Sequence, residues 1–165
     1  MYLKNNNLTI GPMNAKNQEI TTTDFTGWIT IGKEKIPCAV LYPESETPIR
    51  VIVQREIVGL LTGNKKGGFE RYLKPANLQK YLPEKFINKA LSSSTHLFKT
   101  STSSKIAQGF EGPDLIDFCQ MYMQARTDGV LLQNQMHLAT QAEIIVFAFA
   151  KTGVIGVIGL TSKEL

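Results

Sequence analysis

The chain of 165 residues contains only two cysteines, two histidines and one tryptophan, and it lacks any long hydrophobic run. Each scarcity excludes something. Cys38 and Cys119 lie far apart in apolar surroundings, which suits buried free thiols and argues against a disulfide framework or a cysteine zinc site. His96 and His137 have no Cys, Asp or Glu at metal-ligand spacing, so neither a metal nor a cofactor is expected. Met1 to Ile10 carries three consecutive asparagines and no signal-peptide core, while Ile144 to Ala150 is too short to span a bilayer. These features predict a cytoplasmic chain in a reducing compartment, with no membrane partner.

Catalytic signatures are equally scarce. Ser92 to Ser94 and Ser101 to Ser104 offer hydroxyls without a G-x-S-x-G elbow and read as turn chemistry. Gly63 and Gly68 have the outer spacing of a phosphate loop, but Phe69-Glu70 follow where a nucleoside triphosphatase needs Lys and Ser or Thr. His137 has no identifiable nucleophile or orienting partner, so a hydrogen-bonded helix residue is the expectation. The chain is accordingly not expected to be an enzyme. An unrecognised site would have to gather His137, Arg126 and Glu143 in one pocket.

What is present is a core-forming composition, 42% hydrophobic and 19% charged, and a net charge of +4 that is unevenly spread. Residues 1–105 hold 15 Lys and Arg against 8 Asp and Glu, whereas 106–165 hold 3 against 6. The excess peaks between Arg55 and Lys105, with 10 basic residues against 3 acidic. Such asymmetry points to a polyanionic partner, or else to an ordinary surface of solvated lysines. Arg55, Lys65, Lys66, Arg71 and Lys74 are the candidate phosphate contacts, grouped around the glycine-rich turn with its exposed N–H groups. A plain surface turn is the competing reading. Phe69, Tyr72 and Tyr81 are interleaved with cations in a way that suits stacking on bases; for Phe69 and Leu73, packing on the core is preferred.

Along the chain, 1–23 reads as a flexible polar leader and 24–165 as a single α+β domain. Trp28 to Ile31 and Ile36 to Tyr42 form a hairpin turning near Gly32 to Lys35, with Pro37 and Pro43 demoting its second strand to an edge or limiting its length. Ile49 to Val53 is a strand that feeds directly into a short helix capped by Gly63. Pro83 starts a helix with Phe86, Ile87, Ala90 and Leu91 on one face. The segment Ser92 to Phe110 is a second hairpin. Gly112-Pro113-Asp114 opens a helix, proline being favoured and acid stabilised in the first turn, with Leu115, Phe118, Cys119, Tyr122 and Met123 as its buried stripe and Asp128-Gly129 as its end. The last helix runs from Asn134 to Lys151, closed by Gly153, and its apolar stretch Ile144 to Ala150 belongs at the core or in a homodimer interface. Val154 to Leu160 reads as a short buried strand. The architecture expected is a small antiparallel sheet or hairpins packed on two C-terminal antiparallel helices.

Several segments together resemble the P-sixty-three-C domain family of phage and prophage proteins. They are Ile36-Pro37-Cys38-Ala39-Val40-Leu41, Arg50 to Leu61, the glycine-rich basic turn, Asn77-Leu78, Gly109-Phe110, Cys119 to Gly129, His137, Gln141 to Ile144 and Lys151 to Ile155. The likeness spans about Gly27 to Val157. It implies a phage-type transcription regulator in a bacterial host cell, associated with DNA or, as an antirepressor-like module, with a repressor or other protein through its C-terminal helices. The family brings no catalytic residues to carry over. Phe110-Glu111 stand where tyrosine and aspartate are expected, and the tail after Leu160 departs from the family's acidic one, which implies a missing or degenerate C-terminal region.

Overall fold

The computed structural model describes residues 19–88 and 94–164. Its strands are β1 (Ile20–Thr22), β2 (Thr26–Ile31), β3 (Glu34–Leu41), β4 (Ile49–Val53), β5 (Thr95–Lys99) and β6 (Ala107–Glu111). Its helices are α1 (Gln54–Thr62), α2 (Glu84–Asn88), α3 (Gly112–Thr127) and α4 (Met136–Glu164), with 3-10 turns at Glu70–Tyr72, Ala76–Tyr81 and Gln133–Gln135. The fold is α+β. The six strands form one sheet in the order β1-β5-β6-β4-β3-β2, mixed because β1 runs parallel to β5. The small antiparallel sheet expected from the sequence is thus one larger, mixed sheet.

The hairpin of β2 and β3 pairs Ile31 with Glu34 around Gly32-Lys33. Gly32 has φ 63°, the positive value that a two-residue hairpin turn with Gly in first place demands. β3 is not an edge, as its prolines suggested; it lies between β2 and β4. Pairs alternate between bonded and non-bonded from the turn outward, so Pro37, opposite Trp28, turns its missing N–H away from β2. On that side the ladder to β4 begins only at Cys38, opposite Ile52. The proline therefore costs no ladder bond.

Only Thr23 to Phe25 separate β1 from β2, although these are the two outermost strands. The sheet must curl until its edges approach. The Thr23 N–H donates to the Lys99 carbonyl at 2.9 Å, and its Oγ1 donates to the Val40 carbonyl at 2.7 Å. At the same corner Asp24 accepts from Ser101 Oγ (2.7 Å) and the Ser101 N–H (2.9 Å), bonds that hold its carboxyl below the usual carboxylate value. β1 falls inside the segment expected as a polar leader, while 1–18 lie outside the described residues. The strand's short threonine-rich sequence carries little apolar signal; it is recruited by the free edge of β5.

The two faces of the sheet hold separate cores. Ala39, Leu41, Val51 and Phe98 form a small cluster that the curl encloses. On the outer face Ile36, Ile52 and Phe110 join α1, α3 and α4 in the main core, where the Phe69 ring lies 4.5 Å from Phe110 and 4.8 Å from Phe118. In α3 the expected stripe is buried from Leu115 to Tyr122, with Met123 half-buried at its margin. Ile87 of α2 is exposed rather than sharing a buried face, and Ala90 and Leu91 lie outside the described residues.

The strand expected over Val154 to Leu160 is absent: α4 continues through Gly153 to Glu164. A short apolar run does not by itself distinguish strand from helix, and each interior glycine costs only about 1 kcal/mol once a helix is propagating. Ile145 is fully buried on α4, while Ile144 and Phe147 face outward. No described helix is long and apolar enough to cross a membrane.

Candidate nucleic-acid interface

The basic residues singled out by composition follow the junction of β4 and α1. Val53 precedes the helix without a side-chain cap, so the first amides of α1 are not satisfied by its own N-cap. Arg55 stands exposed in that first turn. At the other end Gly63, at φ 81°, donates its N–H to the Gly59 carbonyl at 2.8 Å and turns the chain into the glycine-rich loop.

The loop is built by local hydrogen bonds. Thr62 Oγ1 donates to the Val58 carbonyl and accepts from the Asn64 N–H at 3.1 Å, and Asn64 Oδ1 accepts from the Lys66 N–H at 3.0 Å. Lys65 folds back across α1, where a Cβ on Gly59 would stand 2.6 Å from its Cγ. Gly59 therefore opens the path along which the Lys65 ammonium reaches Glu56 at 2.9 Å. Gly67, at φ 80°, brings its backbone beside the Arg71 guanidinium.

These elements enclose a polar cleft of about 420 Å³ lined by Gln54, Arg55, Lys65, Gly67, Gly68, Glu70 and Gln108. Arg55 and Lys65 thus meet in one place, Arg71 adjoins it at Gly67, and Lys66 projects from the same loop. Lys74, exposed beyond the first 3-10 turn, is not among the lining residues. Two carboxylates, Glu56 on Lys65 and Glu70 in the cleft, offset part of the positive charge.

Gln54 and Gln108 were not singled out from the sequence. No local pattern could have found them, because only the pairing of β4 with β6 brings these segments together. The aromatic residues do not form a stacking platform here. Phe69 is buried at the junction of sheet and α3. The Tyr72 carbonyl accepts from Tyr122 Oη at 2.6 Å, and Tyr81 Oη donates to Asp128 at 2.8 Å.

Elsewhere, Arg126 closes on Glu143 in a salt bridge. His137 is exposed on α4 and is not bonded to either, so the pocket that would gather the three does not form. The only His–carboxylate contact among the described residues is His96 Nε2 with Glu111 Oε2 at 2.7 Å. Among the described residues no group of three His, Cys, Asp or Glu side chains is placed to hold a metal. Compared with known proteins, the chain matches no family model, no curated protein and no solved structure.

Proposed function

We propose that this protein binds nucleic acid through the cleft at the start of α1, contacting phosphates rather than bases. The observation that carries the reading is the convergence of Arg55, Lys65 and the Gly67-Gly68 backbone on one polar cleft, with Lys66 and Arg71 alongside. Guanidinium groups and loop amides are the donors that position a phosphate backbone, and among the described residues no aromatic side chain lines the cleft to read a base by stacking. The resemblance to phage and prophage regulators agrees with this role by analogy.

Fluorescence anisotropy with a labelled duplex tests it. Affinity is expected at low salt, falling as salt rises because each neutralised phosphate releases counterions. Replacing Lys66 by Gln is expected to reduce the salt slope by about 1, whereas Lys74→Gln, outside the cleft, changes it less. Undetectable binding at low salt, or binding insensitive to salt, overturns the proposal. The reading left standing would be a repressor-directed protein module, favoured by the exposed Ile144 and Phe147 of α4.

A further inference from the structure

We propose that β2 is a dimerisation edge: it pairs antiparallel with β2 of a second copy of this chain, about a twofold axis at Trp28. The proposal is independent of the nucleic-acid reading and rests on a different part of the molecule.

β2 ends the sheet, so among the described residues one side of its backbone has no strand beside it. Counting from the turn, Ile31, Ile29 and Gly27 exchange bonds with β3, which leaves the N–H and C=O groups of Thr30, Trp28 and Thr26 directed outward. Among the described residues only the Thr26 N–H has another partner, the Asp24 carbonyl at 3.1 Å. Edges of this kind are normally blunted by a charge, a proline or a bulge. The sequence Thr-Gly-Trp-Ile-Thr-Ile of β2 has none of these.

Apolar surface flanks the edge on both sides. Trp28 is 65% exposed on one face. On the other, a groove of about 440 Å³ runs between Thr30 and Gly32 of the hairpin and Ile144, Phe147 and Ala148 of α4, with Phe147 63% exposed and with Lys151 and Thr152 at its polar end. An added strand would bury alternate side chains against each in turn.

A second β2 fits this edge because the array is self-complementary. With Trp28 opposite the partner's Trp28, the two exchange N–H and C=O, and Thr30 donates to the partner's Thr26. Thr26 need only accept, which is what its engaged N–H allows. The same register sets Gly27 opposite the partner's Ile29, so a residue without a side chain faces a bulky one. It also directs Lys33, at the hairpin tip, toward the corner at the partner's Asp24, opposite in charge. Such an interface is isologous and closed.

Trp28 is the only tryptophan in the chain, so its fluorescence reports the proposed interface directly. Sedimentation of the full chain should show a concentration-dependent dimer, with a parallel blue shift in tryptophan emission. Thr30→Pro, which removes an outward N–H, should shift the chain to monomer, and Phe147→Asp should weaken association at least tenfold; circular dichroism confirms that each variant is folded. Trp28→Cys should form an interchain disulfide under mild oxidation, because directly opposed bonded residues lie about 5.5 Å apart at Cα, within disulfide reach. Thr26→Cys, opposite the partner's Thr30, should not exceed the wild-type background. A monomer at all concentrations, a dimer indifferent to Thr30→Pro, or equal cross-linking at both positions overturns the proposal, the first leaving the edge to an unrelated extended peptide.

Discussion

Gly109 lies so close to Val51 across the β4–β6 pairing that a Cβ placed on it would stand 2.6 Å from Val51 Cγ2 and 3.2 Å from the Phe98 ring. The curl of the sheet draws these strands together over a small inner core, and glycine is the only residue that leaves room for both neighbours. Gly109→Ala is therefore expected to destabilise the fold by about 1–3 kcal/mol, the usual cost of overpacking. Urea unfolding checks it: the midpoint falls while the slope is retained. An unchanged midpoint would show that Val51 and Phe98 can move aside.

Lys85 of α2 reaches two carboxylates of α3, Asp114 at 2.6 Å and Asp117 at 2.5 Å, and Asp114, almost fully buried, also accepts from Ser94. The hydrogen bond to Asp114, then that to Asp117, raises the Lys85 pKa above its ordinary 10.5. A base whose pKa is raised in the folded state stabilises the fold fully below its unfolded value, and this contribution is lost as pH rises through the folded one. Lys85→Met is thus expected to be less stable than wild type at pH 8, with the difference shrinking above pH 10.5. Thermal melts of the two proteins across this window measure the difference, and a constant gap would refute the linkage.

Burial is the main difference between the two thiols. Cys119 is 0% exposed, and desolvation pushes its pKa up to about 12. Cys38 is only half-buried, its pKa raised more mildly by the same cause and offset by a hydrogen bond from the Gly27 backbone. At pH 8 a thiol reagent is expected to modify Cys38 in the native protein and Cys119 only after unfolding in denaturant. Prompt modification of both would mean that α3 opens locally far more readily than its packing implies.

The local elements were legible because their signals are local. Gly32-Lys33 between two β-branched runs marks the first hairpin, Gly63 caps α1 in the left-handed conformation, and Pro113 with Asp114 starts α3. The misreadings share a cause. The prolines made β3 look like an edge because sequence reveals a missing donor but not whether a neighbour would have used it. Val154 to Leu160 reads as a strand because five apolar residues and two glycines carry no period, and the continuing helix decides.

For the candidate site, sequence located the charge and the tertiary structure decided its arrangement. The run from Arg55 to Lys74 was visible as an excess of cations around glycines. That Arg55 and Lys65 share a cleft, that Glu56 takes up the Lys65 ammonium, and that Lys74 stands apart depend on where α1 and the loop lie against β6. The sequence by itself determined the hairpins, the start of α3, the ends of α1 and α3 and the free thiols, since turn chemistry, caps and apolar patterning act over a few residues. Only the tertiary structure decided the strand order, the curl that brings Thr23 between Lys99 and Val40, and the exposed edge of β2. Those depend on contacts between residues distant in the chain, whose pairing no local propensity encodes.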